Sequence, residues 1–242
     1  MVLFMRRIVL IATTLALVII ASIINASIVI KAQSNDYIWG YPGTARGNLN
    51  PFTSAGVDSV VTGILFSTGL VYIAPNGSIL PWAASSWEFK TSGNLTEIYF
   101  YIRDNAYWSD GKPLTADDYV FTWRSIYMPF NKTLDPLGII SKYVVSVDKV
   151  SDKIVKFTVS RNNTLVFVSV ASRIAVPQHV WSSIVANMTE SDFSKLVIKP
   201  GDPGLSVTLG PFALEYYDPQ TEIVMRANKN FFMGAPHIDR FR

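Results

Sequence analysis

Residues 98–127 read IYFYIRDNAYWSDGKPLTADDYVFTWRSIY, and they encode a strand, a tight turn and a capped helix in succession. Ile98, Phe100 and Ile102 alternate with Tyr99, Tyr101 and Arg103, the period-2 pattern of a half-buried strand. Asp110-Gly111 supplies the turn, because glycine takes positive φ without a Cβ clash. Thr115 followed three residues later by Asp118 forms a capping-box pattern, with the acid at the positive end of the helix. Beyond it, Tyr119, Val120, Trp123, Ile126 and Tyr127 recur at helical spacing. Asp110, Asp117 and Asp118 could be read as a metal or acid-base cluster, but turn and cap geometry accounts for all three.

Outward from this stretch the pattern stays that of an α/β chain. Asp36 to Tyr41 predicts a first strand, and residues 42–51 a turn-rich loop. Val60 to Leu70 predicts a helix with Asp58 or Ser59 as its cap. Asn76-Gly77 between two short apolar runs is a hairpin signal. Met128 to Asp135 reads as a polar loop, and Val144–Asp148 and Ile154–Val159 as paired strands. Residues 199–204 form a Pro/Gly loop. A hairpin of Ala213–Tyr217 and Glu222–Arg226 turns at Asp218-Pro219. There is no internal repeat.

Composition excludes several classes. The net charge is +3, but Arg6, Arg7 and Lys31 precede the first acid, and without them 18 basic face 18 acidic side chains. A neutral body of this kind lacks the basic face of a nucleic-acid binder. No cysteine is present, so disulfides, thiolate metal sites, a cysteine nucleophile and a lipidated cysteine anchor are excluded. The first 32 residues are basic at the start and uncharged from Ile8 to Ile30. They read either as a secretory signal or as an uncleaved hydrophobic membrane helix. Both readings place the rest, residues 33–242, outside the membrane. Asn-x-Ser/Thr triplets at Asn76, Asn94, Asn131, Asn162 and Asn187, with another at Asn25, make glycosylation candidates of an exported chain.

The central stretch also carries a resemblance. Pro81, Ser86, Trp87, Phe100, Ile102, Arg103, Trp108, Ser109, Asp110, Gly111, Pro113, Thr115, Ala116 and Asp118 fall on the P-x-L-A-x-S-W, F-x-L-R and W-S-D-G-x-P-x-T-A-x-D pattern of family 5 extracellular solute-binding proteins. These are the oligopeptide- and dipeptide-binding components of ABC importers. Ile174, Pro177, His179 and Trp181, then Gly210-Pro211-Phe212, Arg226, Asn228, Pro236 and Asp239, continue the similarity to the last residue. The family's Y-E-G-L turn is replaced here by Ser67-Thr68-Gly69-Leu70. The resemblance implies a periplasmic-binding-protein-like (class II) α/β lobe with a mixed sheet and flanking helices. Members have two lobes around a cleft, so the chain is expected to be an incomplete N-terminal lobe without the second.

For ligand, the resemblance implies an extended peptide paired with receptor backbone after the Asn50-Pro51 motif, at Ala55, Gly56 and Val57. Gly56 either admits a close ligand backbone or simply makes a turn. Leu137, in the loop after Pro136, is a further candidate at the cleft. An oligosaccharide is the alternative ligand, and Trp39, Tyr41 and Trp108 suit either. The implied partners are ABC permease subunits and, through the leader, the membrane; the receptor is expected to act as a monomer, without cofactor or metal. A membrane-tethered sensory or adhesion module that does not import is the reading from another class. Enzyme readings lack support: His179 and His237 lie far apart, and neither H-E-x-x-H nor G-x-S-x-G occurs.

Overall fold

The computed structural model describes residues 35–242. The expected signal or anchor, residues 1–32, lies outside the described residues, as does Asn25. Among the described residues no helix is long and apolar enough to cross a membrane.

In chain order the elements are β1 (Asp36–Tyr37), α1 (Val57–Phe66), the hairpin β2 (Val71–Ile73) and β3 (Ile79–Pro81), and the long pair β4 (Ala84–Ser92) and β5 (Leu95–Ile102). Then come α2 (Ala116–Thr122), widening into a π turn at Trp123–Tyr127, α3 (Asn131–Leu134), α4 (Ile139–Tyr143), β6 (Val144–Ser151) and β7 (Ile154–Val159). Next are α5 (Thr164–Ala171), α6 (Gln178–Val185), α7 (Glu190–Ser194), α8 (Pro203–Ser206), β8 (Phe212–Tyr217), β9 (Ile223–Ala227) and β10 (Arg240–Phe241).

Two four-stranded sheets result. One, in the order β4-β5-β7-β6, is wholly antiparallel. The other, β1-β10-β9-β8, is mixed, because β1 pairs parallel with β10. The expected α/β class with a mixed sheet is therefore present, with the parallel pairing confined to β1 and β10 among the described residues.

β5 alternates as its sequence dictates. Ile98 and Phe100 are fully buried, whereas Tyr99 faces the other way and donates to the Glu97 carboxylate at 2.8 Å. Register carries the apolar face across strands: Phe100 lies opposite Trp87 and Val155, and Ile98 opposite Phe89 and Phe157. α5 and the π turn cover this face, with Phe100 5.7 Å from Phe157, 5.9 Å from Phe167, and Trp123 5.0 Å from Phe157. Such ring pairs add ~0.5–1.5 kcal/mol each beyond burial.

The turn forms where expected. Trp108 N donates to Lys112 O at 2.8 Å and Gly111 N to Trp108 O at 2.9 Å, with Gly111 at φ 85°. Thr115 caps α2, and the Asp118 carboxylate reaches back to the Thr115 amide at 3.0 Å.

Local expectations differ in four places, the last being that the expected 199–204 loop runs into the short helix α8 at Pro203. α1 begins at Val57 with Gly56 as its cap, not Asp58 or Ser59, because the Asp58 carboxylate is engaged elsewhere. The 128–135 loop contains the short helix α3. The first strand is only two residues long by ladder pairing, although Trp39 N still donates to Arg242 O at 2.7 Å. α5, for which the sequence carried no expectation, forms despite its β-branched residues, and the Asn163 side chain starts it by accepting from Val166 N at 2.9 Å.

Candidate ligand-binding site

The segment after Asn50-Pro51 is built on a fixed base. Asn50 is fully buried; its side-chain oxygen accepts from Phe52 N at 3.0 Å, and its amide donates to Leu196 O at 3.0 Å. The Asn48 side chain accepts from Asn50 N at 3.0 Å and Ile198 N at 3.2 Å, tying the turn to residues 196–198. Phe52 seats in a ring cluster, 5.4 Å from Tyr127, 5.4 Å from Trp181 and 5.9 Å from Phe193.

On this base Ala55 and Gly56 stand exposed, and Val57 is half-buried. Among the described residues the amides of Ala55 and Gly56 donate to no protein acceptor. Gly56 adopts φ 61° and ψ −133°, a region that only glycine enters readily. A Cβ there would also approach Thr44 O to 3.2 Å. The turn role and the open backbone thus coincide at one residue.

Asp58, one residue into α1 and 1% exposed, fixes the neighbourhood. Its carboxylate accepts from Arg46 N at 2.9 Å, Asn48 N at 3.0 Å and the Tyr217 hydroxyl at 2.6 Å. The same hydroxyl accepts from Gly47 N at 3.1 Å. Burial and the bond to Asp58 push the Tyr217 phenol far above its ordinary value. Loop 42–51, α1 and β8 are held together at this point. Sequence reading took Asp58 only as a cap candidate and missed Tyr217, whose partner lies 159 residues away.

Val57 lines a groove of about 380 Å³ between residues 38–45, the first turns of α1 and the turn from Asp218 to Glu222. Trp39 and Tyr41 form one lip, 42% and 41% exposed, with ring centroids 5.0 Å apart. Val60, Val61, Ile223, Met225 and Phe241 also line it. Arg242, next to Trp39, also lines the groove, its side chain bonded to Glu222 at 2.7 Å and 3.5 Å from Asp36. An apolar floor with compensated charges at its rim suits a neutral, partly apolar group.

Leu137 is 80% exposed and does not line this groove. It sits in the turn between α3 and α4. There the buried Asp135 carboxylate accepts from Ile139 N at 2.8 Å and Ser141 N at 2.9 Å, and Gly138 takes φ 65°.

Trp108 is not open to a ligand. It is 2% exposed, and its indole N–H donates to Asp118 at 3.2 Å. Asp118 also accepts from Gln178 N at 2.9 Å, so one carboxylate joins the turn, α2 and α6. Burial pushes that carboxyl up, against the Gln178, Thr115 and Trp108 donors. His179 lies 2.7 Å from Asp110 through Nε2. Burial alone would raise the Asp110 carboxyl, but the Lys112 amide and the His179 ring hold it below its ordinary value. Asp117 pairs with Lys149 at 2.6 Å. Each of the three aspartates therefore has a structural partner. Among the described residues no three His, Cys, Asp or Glu side chains come together as a metal site.

Residues 78–242 match the profile of the bacterial extracellular solute-binding proteins, family 5 Middle. The chain belongs to this family. Family 5 relatives include the periplasmic murein peptide-binding protein MppA of Escherichia coli (strain K12), 37% identical over 92 residues, which cover 38% of this chain and 16% of that protein. The oligopeptide-binding protein AppA from Bacillus subtilis, solved with a nonapeptide, superposes with TM-score 0.69 at 22% identity. That match covers 86% of this chain and 39% of AppA. A periplasmic oligopeptide-binding protein from Thermotoga maritima, solved with mannohexaose bound, gives TM-score 0.66 at 24% identity over 86% of this chain and 37% of that one. At these identities the two structures establish the fold. The chain thus spans well under half the length of these family 5 proteins. The family is one of solute-binding proteins, not enzymes.

Proposed function

We propose that this chain forms one wall of the solute-binding cleft of an ABC-importer receptor, working outside the membrane and presenting an extended oligopeptide to a permease. The observation that carries the reading is the exposed main chain of Ala55 and Gly56. Its amides are free of protein acceptors among the described residues, while Asn50, Phe52 and Asp58 hold it rigid. A peptide can pair with such an edge through its own backbone, which gives affinity with little demand on side chains. Preorganisation matters, since a mobile edge would have to be ordered on binding. Leu137 belongs to this proposal only as a contact on a separate loop.

A single wall supplies only part of the contacts. The affinity expected for this chain by itself is therefore weak, near ~1 mM or about −4 kcal/mol. Titration of the isotopically labelled chain with tri- to pentapeptides should shift the Ala55 and Gly56 amide resonances first. Unmoved resonances there at millimolar peptide would sink the proposal, and micromolar binding would contradict the one-wall estimate.

The exposed Trp39–Tyr41 pair beside the groove supports a second reading, an oligosaccharide ligand, because aromatic faces suit sugar rings. A mannose oligosaccharide in the same titration should then move the Trp39 indole resonance while leaving the Ala55 amide in place.

A further inference from the structure

Five Asn-x-Ser/Thr triplets lie in the described residues, and the fold treats them unequally. N-linked transfer forms a bond between the asparagine side-chain nitrogen and the anomeric carbon of a lipid-phosphate-linked oligosaccharide. The anomeric carbon–oxygen bond to the phosphate breaks, the lipid phosphate leaves, and the amide gives up one proton to a base of the transferase. The acceptor nitrogen and the hydroxyl two residues on must be reachable together, on a surface with room for a bulky glycan.

Three triplets fail part of this requirement in the folded chain, and a fourth is held in a tight turn. Asn131 is half-buried and donates to Met128 O at 3.0 Å, while the Thr133 hydroxyl is held by the Glu190 carboxylate. In the Asn94 triplet the third residue, Thr96, is 6% exposed within β5. Asn187 has φ 61°, and the Thr189 hydroxyl donates to Asp192 at 2.7 Å as part of the α7 cap. The Asn76 triplet is exposed, but it is locked in a tight turn rather than extended, its side-chain oxygen accepting from Ser78 N at 3.0 Å beside Gly77 at φ 83°.

The triplet Asn162-Asn163-Thr164 combines exposure, which the Asn76 triplet shares, with an extended backbone and untied side chains at both functional positions. All three residues are exposed, and Asn163 is extended at φ −145° and ψ 167°. Among the described residues the side chains of Asn162 and Thr164 have no protein partner. Asn163 directs its own side chain inward to Val166 N, which fixes the segment without occupying either neighbour. We propose that Asn162 is the acceptor for an N-linked glycan on the folded chain.

The test compares the purified, folded full chain with five synthetic peptides, each spanning one triplet, as substrates of an oligosaccharyltransferase with a lipid-linked oligosaccharide donor. Peptide-mapping mass spectrometry reads occupancy at each site. The peptides should all accept glycan, whereas the folded chain should carry it at Asn162 above every other site. Asn162→Gln and Thr164→Ala should each abolish the dominant product, and Asn131→Gln should leave it unchanged. Equal occupancy across sites, glycan on another triplet with Asn162 bare, or a folded chain that accepts none while the Asn162 peptide does, would each overturn the assignment.

Discussion

The sharpest stability prediction concerns Asp118. Its carboxylate is 5% exposed and receives three N–H donors, from Gln178 at 2.9 Å, Thr115 at 3.0 Å and the Trp108 indole at 3.2 Å. Asp118→Ala leaves these donors facing an apolar void, and hydrogen bonds to a charged acceptor are worth ~1.5–3 kcal/mol apiece. The burial that pushes this carboxyl up shows that the fold also pays to desolvate it, which offsets part of the loss. The expected net cost is about 3–4 kcal/mol. Asp118→Asn keeps the shape and one acceptor oxygen. It can still serve Gln178, but it turns an amide N–H₂ toward Trp108 and Thr115, for a loss of about 2 kcal/mol. The pH dependence has a definite sign. A carboxyl raised in the native state holds its proton more tightly there than in the unfolded chain, whose value is near ~3.9. Its contribution to stability is therefore full below that value, falls as pH rises through the native one, and stays level above it. Asp118→Asn should remove this decline. Urea unfolding followed by far-ultraviolet circular dichroism, at neutral pH and again in acid, measures both effects, with unchanged m as the control. An Asp118→Ala variant within ~1 kcal/mol of the parent would refute the claim that this carboxylate joins turn, α2 and α6.

Three further outcomes follow from individual contacts. Gly210→Ala should cost at least ~3 kcal/mol in urea unfolding, because its Cβ would lie 1.7 Å from Ile64 O and 2.7 Å from Leu65 O, both backbone; a loss below ~1 kcal/mol would mean that α1 and residue 210 are not in contact. Gly56→Ala should destabilise by ~1–3 kcal/mol through backbone strain, and amide hydrogen exchange should quicken in the first turn of α1; unaltered exchange and stability would show that the φ of 61° is not imposed. Burial pushes the Tyr127 phenol up to about 12, partly opposed by Arg173, so its contribution to stability is full below the unfolded value of ~10 and is lost as pH climbs through the native one. Phenolate absorbance should then show Tyr127 and Tyr217 ionising after the exposed tyrosines, and a single uniform titration near the ordinary value would contradict their burial.

How much of this fold could be read from the sequence depended on how far apart the interacting residues lie. The β5–turn–α2 unit was legible because alternation, Asp110-Gly111 and Thr115…Asp118 all act within a few residues of one another. The cap of α1 was misread because Asp58 is claimed by Arg46, Asn48 and Tyr217, and no local pattern announces a partner 159 residues away. β1 was expected within Asp36–Tyr41, but its partner β10 lies across most of the chain and is only two residues long, too short for periodicity to register. α5 was hidden for a different reason. Val166, Val168 and Val170 favour a strand by propensity, and burial of Val166, Phe167 and Val170 on one side of a helix overrides that preference.

The candidate site at Ala55 and Gly56 is a position the resemblance implies, with no chemistry of its own in the residue types, and the reason is physical. Side-chain recognition leaves a residue type in the sequence, as Trp108 and Asp118 show for a structural contact. Main-chain recognition leaves only the geometry that exposes an amide. At Ala55 and Gly56 that geometry comes from elsewhere: the buried Asn50 side chain, the rings around Phe52 and the Asp58 carboxylate. Substituting Ala55 by another small residue should therefore change ligand pairing little, whereas loosening the Asn50 or Asp58 ties should weaken it without touching a contact residue. The aromatic candidates divide by the same reasoning. Trp39 and Tyr41 stay available because they lie where β1 runs out of paired partners, whereas Trp108 is withdrawn because its indole N–H completes a buried network. An aromatic residue in a sequence of this kind is thus informative about ligand only once its own hydrogen-bonding group has been accounted for.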